Sequence, residues 1–249
     1  MAPVAFAAAW FGNWPFIALV TAAGIALAWE WTRITFGQMT PSGRILMVAA
    51  ALLPLAGWLE PMRGVALAGL GVILAALPPV PEGRSRFWAP LGAIYILLPQ
   101  FALIVIREQG RWLLLWVLFL VWATDSGAYF AGRLIGGPKL APKVSPKKTW
   151  AGLAGGMVAA ALVGWSIRNG EGVAAWHLAL ISALLAVVAQ AGDLAESALK
   201  RYFGVKDSSQ LIPGHGGVFD RLDGLLAVAP VVAAMTLLWP GGWDIFNGW

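Results

Sequence analysis

The sequence predicts an all-α, polytopic transmembrane helical bundle with about eight full spans and a short or truncated first segment. Two observations predict it. Of the 249 residues, 59% are hydrophobic and only 12% are charged, whereas a soluble domain carries about 25% charged residues. The apolar residues also form long runs without charged side chains, and several approach or exceed the ~18 residues that indicate a spanning helix. We therefore expect a single integral membrane domain over residues 1–249.

Nine apolar segments follow one another along the chain, and each is interpreted as a helix. The first is short, because a helix of its length would reach only about 17 Å across a hydrocarbon core of roughly 30 Å. It is either half of a hairpin or a span whose beginning is missing, with a turn expected at residues 12–15. The segments lie at about 1–12, 14–31, 44–59, 64–81, 87–106, 112–131, 150–167, 177–198 and 222–240.

The distribution of Lys and Arg predicts which loops face the cytoplasm. If the loop at 132–149 is cytoplasmic, strict alternation also places the loops near 32–44, 82–87 and 199–221 inside. These four loops hold thirteen Lys and Arg residues, against four in the outer loops. This asymmetry agrees with the positive-inside rule and supports the segment assignment. The four outer cations are Arg63, Arg107, Arg111 and Arg168.

The charged residues of the eighth segment share one face of the predicted helix. Asp193 lies about two turns from the inner end of its span, where a carboxylate costs about 2.5–3.5 kcal/mol unless it faces a wet cavity, a cation or a metal. Glu196 and Lys200 are four residues apart and could instead form a structural ion pair. The residues spaced i, i+3, i+4 and i+7 on this face are Asp193, Glu196, Ser197 and Lys200.

A second charged group begins the last segment, directly after a glycine-rich turn. Asp220 and Asp223 are one helical turn apart, so both can face the same point. The preceding Gly216 and Gly217 allow the backbone to approach a ligand and direct N–H groups toward it. We therefore place the catalytic half of the chain at about 122–224.

Carboxylates beside Lys and Arg suit the transfer of a phosphorus centre. Carboxylates hold Mg²⁺, which bridges phosphate oxygens, and basic side chains neutralise charge on the phosphates and the leaving group. The chain has no cysteine and only two histidines, which excludes disulfides and argues against zinc. It contains neither a GxxxxGK[ST] loop nor an HExxH motif, so P-loop and zincin chemistry are not predicted.

At these residues the sequence resembles the phosphatidate cytidylyltransferases, the CDP-diacylglycerol synthases. The resemblance rests on the long pattern S-x2-K-R-x4-K-D-x5-P-x-H-G-G-x2-D-R-x-D at 197–223. The stretches D-S-G-A-Y at 125–129 and S-P-K-K-T-W at 145–150 also match the family. The clear resemblance covers about 122–224, whereas residues 1–106 match only in being apolar.

The resemblance implies a Mg²⁺-dependent reaction of CTP with phosphatidate that gives CDP-diacylglycerol and pyrophosphate. The expected metal ligands are Asp193, Asp220 and Asp223, with room for a second cation. Lys200 joins these three as a catalytic residue. The residues expected to bind substrate are Asp125, Lys147, Lys148, Ser197, Arg201, Lys206, His215, Gly216, Gly217 and Arg221.

The same resemblance implies partners and a location. The partners are CTP, phosphatidate in the bilayer and membrane lipids, with no nucleic acid. The protein is expected in the cytoplasmic (inner) membrane, with its active site facing the cytoplasm. Gly152 and Gly156 form a GxxxG on the seventh segment, which is typical either of a homodimer interface or of ordinary packing within one chain.

Two other functions remain open on the sequence. A CTP-dependent lipid kinase of the polyprenol type would use similar residues but transfer the γ-phosphate. A secondary transporter also buries carboxylates, but it usually shows repeat symmetry and broken helices at the midplane. No internal repeat is visible here, and the charges concentrate near one face, so the transporter is the weaker alternative.

Overall fold

The computed structural model describes residues 2–167, 175–212, 214, 216–239 and 243. Over these residues it contains nine α-helices and one two-stranded sheet, so the expected helical bundle is confirmed and a small β-hairpin is added to it. In chain order the elements are α1 (Ala2–Phe11), α2 (Asn13–Phe36), α3 (Pro41–Leu59), α4 (Pro61–Ala76), α5 (Trp88–Gln109), α6 (Arg111–Leu134), β1 (Lys139–Ala141), β2 (Ser145–Thr149), α7 (Trp150–Ser166), α8 (Ala175–Tyr202) and α9 (Phe219–Leu238).

Six of the described helices, α2, α3, α5, α6, α8 and α9, are long and apolar enough to cross a membrane, and the chain is an integral membrane protein. The expectation of about eight full spans is not confirmed, because α4 has 16 residues and α7 has 17. The apolar run at 64–81 ends in Pro78, Pro79 and Pro81, and proline cannot continue a helix interior. Helix α4 accordingly stops at Ala76.

The turn expected at residues 12–15 is shorter than predicted. Gly12 alone separates α1 from α2, and it takes a φ of 64° that favours glycine. Helix α1 contacts α2, and both alternatives for the first segment remain predictions. At its other end, α2 stops at Gly37, whose left-handed backbone lets its N–H bond to the Arg33 carbonyl oxygen at 2.9 Å.

The chain divides into two compact units. The first comprises Met1–Glu108 and Tyr202–Leu222, and the second comprises Gln109–Arg201 and Asp223–Trp249. In the first unit, the buried Gln100 amide of α5 donates to the carbonyl oxygens of Val20 at 3.0 Å and Ala50 at 3.1 Å. These bonds join α5 to α2 and α3, and they satisfy the NH2 group of the amide, which would otherwise be costly to bury.

An aromatic cluster occupies another part of the first unit. The indole N–H of Trp31 donates to the Trp88 carbonyl oxygen at 2.9 Å. The Phe219 ring, which is fully buried, lies 6.0 Å from the Trp31 ring and 5.5 Å from the Tyr95 ring. The first residue of α9 is therefore anchored among residues of α2 and α5.

Close packing of small residues organises the second unit. A Cβ at Gly152 would lie 3.0 Å from the Ala128 carbonyl oxygen, and one at Gly156 would lie 3.0 Å from the Thr124 carbonyl oxygen. The GxxxG of α7 thus packs against α6 of the same chain, which is the intrachain alternative. The homodimer remains a prediction.

The basic loop before α7, which was predicted only as a loop, contains a β-hairpin. Lys139 pairs with Thr149, and Ala141 pairs with Ser145. The Thr149 hydroxyl accepts a hydrogen bond from Gly152 N at 3.0 Å and caps α7. The hairpin therefore leads directly into a helix and holds its lysines at defined positions.

Candidate active site

Three carboxylates of the second unit lie together on two packed helices. Asp193 and Glu196 are one turn apart on α8, and Asp223 lies near the start of α9. Each offers one oxygen within 4.8 Å of the oxygens offered by the other two. Gly192 permits this approach, because a Cβ there would lie 2.6 Å from the Ala227 Cβ. We call these three residues the carboxylate group.

Two lysines balance the negative charge of the carboxylate group. Lys148 Nζ, on β2, lies 2.5 Å from Asp193 Oδ2. Lys200 Nζ lies 2.9 Å from Glu196 Oε1, which confirms the ion pair expected from their spacing. The Glu196 side chain is only 1% exposed, whereas that of Asp193 is 29% exposed. The Asp193 carboxylate is therefore more accessible to a ligand than the Glu196 carboxylate.

The other contacts of Asp193 and Asp223 keep this end of the site polar. Ser197 Oγ donates to Asp193 Oδ1 at 3.4 Å, and Gly224 N donates to Asp223 Oδ1 at 2.7 Å. Asp125, exposed on α6, is near enough to Asp223 for their charges to repel. Like charges held this closely favour a bound cation.

The signature loop, which we define as the described residues of 203–218, belongs to the first unit and connects α8 to α9. Asp220 holds this loop in its middle and near its end. Asp220 Oδ2 accepts hydrogen bonds from Ser208 N at 3.1 Å, from Ser208 Oγ at 2.8 Å and from Gly217 N at 2.9 Å. Asp220 therefore fixes the loop, and its assignment as a metal ligand stays a prediction.

A fully buried carboxylate from α2 also holds the signature loop. Glu30 is 0% exposed. It accepts hydrogen bonds from Val218 N at 2.9 Å, from Phe219 N at 2.7 Å and from the hydroxyls of Ser208 and Ser209. The start of α9 is thus capped by a side chain almost 190 residues earlier in the chain.

The tip of the signature loop is a tight turn built on glycine. Ile212 N donates to the Gly216 carbonyl oxygen at 3.0 Å, and Gly214 and Gly216 take φ values of 74° and 82°. Gly217 is buried, and a Cβ at this position would overlap the Ser208 hydroxyl and the Glu30 carboxylate. Gly216 and Gly217, which were expected to let the backbone approach a ligand, instead let it approach the carboxylates of Asp220 and Glu30.

The four basic residues that remain among the expected substrate-binding residues lie at the surface. Lys147 is exposed, whereas its neighbour on β2, Lys148, is half-buried. The two differ because successive side chains of a strand point to opposite faces. His215 lies outside the described residues. The exposed basic residues are Lys147, Arg201, Lys206 and Arg221.

Sequence reasoning missed two carboxylates. Glu196 is predicted to share the Asp193 face and is offered as an ion-pair partner of Lys200, but it is not among the predicted metal ligands. Glu30 has no predicted role. Its position in a span was the available signal, since intramembrane carboxylates are functional by default.

The donor set of the carboxylate group fits Mg²⁺. Mg²⁺ prefers hard oxygen ligands, is usually bound by one or two carboxylates and retains several waters. Asp193 and Asp223 supply such oxygens, with Glu196 beside them.

Comparison with known proteins gives a consistent result. The model of the cytidylyltransferase family matches residues 1–239. A Brucella suis protein named phosphatidate cytidylyltransferase is 40% identical over 90% of this chain and 84% of its own length. A Pseudomonas aeruginosa protein of the same name is 39% identical over 97% of this chain and 94% of its own length.

The identity is higher over a shorter stretch in a third relative. A Haemophilus influenzae protein, also named phosphatidate cytidylyltransferase, is 49% identical over 49% of this chain and 44% of its own length. The family model spans the apolar first half as well as the charged second half. The chain therefore belongs to the cytidylyltransferase family.

Proposed function

We propose that this chain is a phosphatidate cytidylyltransferase, which makes CDP-diacylglycerol and pyrophosphate from CTP and phosphatidate. The observation that carries the proposal is the carboxylate group flanked by Lys148 and Lys200 within a membrane-spanning chain of this family. The relatives that cover most of the chain bear the name of this activity. A reaction between a soluble nucleotide and a membrane lipid suits a charged site on membrane helices.

The chemistry requires positioning and charge neutralisation more than proton transfer. A phosphate oxygen of phosphatidate forms a bond to the α-phosphorus of CTP, and the bond from that phosphorus to the bridging α–β oxygen breaks, so pyrophosphate leaves. The attacking oxygen is already anionic, so no strong general base is needed. Lys148 and Lys200 stabilise the negative charge that builds on the phosphates.

We propose that Mg²⁺ is held by Asp193 and Asp223, with Glu196 beside them. When bound, the ion would polarise phosphate oxygens and neutralise their charge. The close approach of the three carboxylate oxygens supports this assignment. Asp220 remains a proposed ligand from the sequence, and a second cation remains a proposal as well.

The other proposed roles follow charge and position. Lys147, Arg201, Lys206 and Arg221 are exposed cations that suit triphosphate or the phosphatidate headgroup. Ser197 adjoins Asp193, and Asp125 adds charge near Asp223. His215, Gly216 and Gly217 are assigned to nucleotide binding from the family pattern.

We also propose that the protein lies in the cytoplasmic (inner) membrane with its site facing the cytoplasm. The excess of cations in the loops of one side supports this orientation. CTP would then reach the site from the cytoplasm, while phosphatidate would enter from the bilayer.

One assay tests the proposed function. Purified protein with CTP, Mg²⁺ and phosphatidate is expected to release pyrophosphate and form CDP-diacylglycerol. Release of CDP together with a phosphorylated lipid would instead identify a CTP-dependent lipid kinase. Ion-dependent uptake in vesicles without CTP turnover would identify a transporter.

A variant sharpens the same assay. Asp220→Asn is expected to abolish turnover in protein that still inserts and folds, because the uncharged amide weakens the contacts of Asp220 Oδ2 and removes a proposed ligand. Unchanged turnover in folded Asp220→Asn would contradict a role for this carboxylate.

A further inference from the structure

Glu30 is a buried carboxylate whose hydrogen bonds, within the part of the chain that the structure describes, all go to the signature loop and the start of α9. Its side chain lies in α2, is 0% exposed and accepts from four groups in the described residues. Burying a carboxylate is costly unless several donors satisfy it. The number and type of these donors show what this residue does.

The two backbone N–H groups that donate to Glu30 lie at the start of α9, where a helix needs acceptors from outside itself. The first N–H groups of a helix have no partner within the helix, and the residue before it usually supplies a side-chain oxygen. Val218 precedes α9 and has no such oxygen. Glu30 takes this part instead, accepting from Val218 N at 2.9 Å and from Phe219 N at 2.7 Å. A negative charge at this end also interacts favourably with the helix dipole.

The hydroxyl donors link Glu30 to Asp220. Ser208 Oγ lies 2.8 Å from Asp220 Oδ2 and 3.3 Å from Glu30 Oε2, so its single proton serves one carboxylate at a time and favours the nearer one. Ser209 Oγ donates to Glu30 Oε1. The signature loop is thus fastened to α2 at both serines and at the start of α9.

Packing supports the same fixed position. Phe219 is fully buried against Trp31 and Tyr95, so the residue that donates to Glu30 is also anchored by its ring. Trp31 directly follows Glu30 in α2. One turn of α2 therefore holds the start of α9 through both polar and apolar contacts.

We propose that Glu30 is a positioning residue for nucleotidyl transfer, which holds Asp220 and the signature loop in the geometry that the reaction requires. This inference rests on the proposed function. Glu30 acts through the loop and is not proposed to contact substrate. Because misplacing a reacting group by about 1 Å can lower a rate by about 10²-fold, loss of this anchor should lower kcat more than it raises KM.

The test variant is Glu30→Gln. The amide keeps the size of the side chain, but its NH2 cannot accept a hydrogen bond, so one pair of donors loses its acceptor. We expect kcat per folded protein to fall by about 10²-fold, with the KM for CTP changed by less than about threefold. The melting temperature in detergent should also fall, because two buried donors lose their acceptor. Glu60→Gln is the matched control, because Glu60 is an exposed carboxylate between α3 and α4 that pairs with Arg63.

Amide hydrogen exchange tests the positioning without any substrate. Peptides covering 216–222 should exchange faster in Glu30→Gln than in the parent protein, and they should be unchanged in Glu60→Gln. If the parent protein does not make CDP-diacylglycerol, the proposed function fails, and this measurement still decides whether Glu30 holds the loop.

Two outcomes would overturn the proposal. One is an unchanged kcat in the folded fraction of Glu30→Gln, so that any loss of activity is accounted for wholly by unfolded protein. The other is unchanged exchange at 216–222. If Glu30→Gln does not fold, Ser209→Ala removes one donor only and should lower kcat by about fivefold with faster exchange at 216–222. An unchanged kcat together with unchanged exchange in Ser209→Ala would also overturn the proposal.

Discussion

The two compact units both bury carboxylates, but they stabilise them with different partners. In the first unit, Glu30 and Asp220 accept hydrogen bonds from backbone N–H groups and serine hydroxyls. In the second unit, three carboxylates approach one another within 4.8 Å, and lysines pair with Asp193 and Glu196. Neutral donors fix a carboxylate in one place. Carboxylates that repel one another favour a bound cation between them, and the neighbouring lysines favour phosphates. One group therefore suits positioning, and the other suits chemistry.

The largest expected effect comes from removing a charge from the carboxylate group. Asp193→Asn should lower turnover by about 10³-fold, because the variant loses a proposed metal ligand and the partner of Lys148. Pyrophosphate release per folded protein measures this. Glu82→Gln, an exposed carboxylate in the α4–α5 connection, is the control. Near-normal turnover in folded Asp193→Asn would separate the carboxylate group from the reaction.

The lysines of the hairpin offer a second comparison. Lys148→Met should lower turnover by about 10²-fold, because Lys148 Nζ lies 2.5 Å from Asp193 Oδ2 and is placed to stabilise phosphate charge. Lys139→Met, an exposed residue of the paired strand, should leave turnover within about twofold. Equal losses in both variants would indicate that only the overall charge of the hairpin matters.

A glycine of the first unit tests how tightly the signature loop is held. Gly217→Ala should lower turnover by about tenfold and destabilise the fold by about 1–3 kcal/mol, because the methyl group would overlap the Ser208 hydroxyl and the Glu30 carboxylate. Gly69→Ala is the control, because a Cβ at Gly69 of α4 meets nothing within 4 Å. This control should be neutral or slightly stabilising in a thermal melt. A harmless Gly217→Ala would mean that the loop is not confined as described.

The smallest expected effect comes from the hydroxyl shared between the two carboxylates of the first unit. Ser208→Ala should reduce stability by about 1 kcal/mol and turnover by about threefold, because Ser208 N still donates to Asp220 Oδ2 at 3.1 Å. Denaturation in detergent and steady-state kinetics measure the two effects. If Ser208→Ala lowered turnover as much as Asp193→Asn, the first unit would supply a group that takes part in the reaction and would not merely position other residues.

Much of the architecture could be predicted from the sequence because lipid imposes a simple pattern. Long apolar runs bounded by charges, prolines and glycines gave helix positions close to those observed. The count of about eight full spans is not confirmed, and for α4 the reason is that Pro78, Pro79 and Pro81 are uncharged, so composition alone extended the predicted segment beyond Ala76. The hairpin was not predicted, because its two strands have only three and five residues and carry no alternating apolar pattern, whereas Lys139 and Thr149 pair in the structure.

The candidate site was predictable to the extent that helical spacing brings residues together. Spacing placed Asp193, Glu196 and Lys200 on one face, and the Glu196–Lys200 ion pair is confirmed at 2.9 Å. Spacing could not show that Lys148 pairs with Asp193, since these residues come from separate elements. It also could not give Glu30 a role, because its partners lie 178 to 189 residues later in the chain. Long-range hydrogen bonds leave no periodic trace in a sequence.

The measurement that most directly tests the difference between the two units is the affinity for Mn²⁺, which replaces Mg²⁺ and whose binding is measured by electron paramagnetic resonance. Asp223→Asn should weaken Mn²⁺ binding by about 10–100-fold, because it removes a proposed oxygen ligand. Glu30→Gln should bind Mn²⁺ as the parent protein does, although its turnover falls. Equal affinity in Asp223→Asn and the parent protein would contradict the assignment of the cation to the carboxylate group.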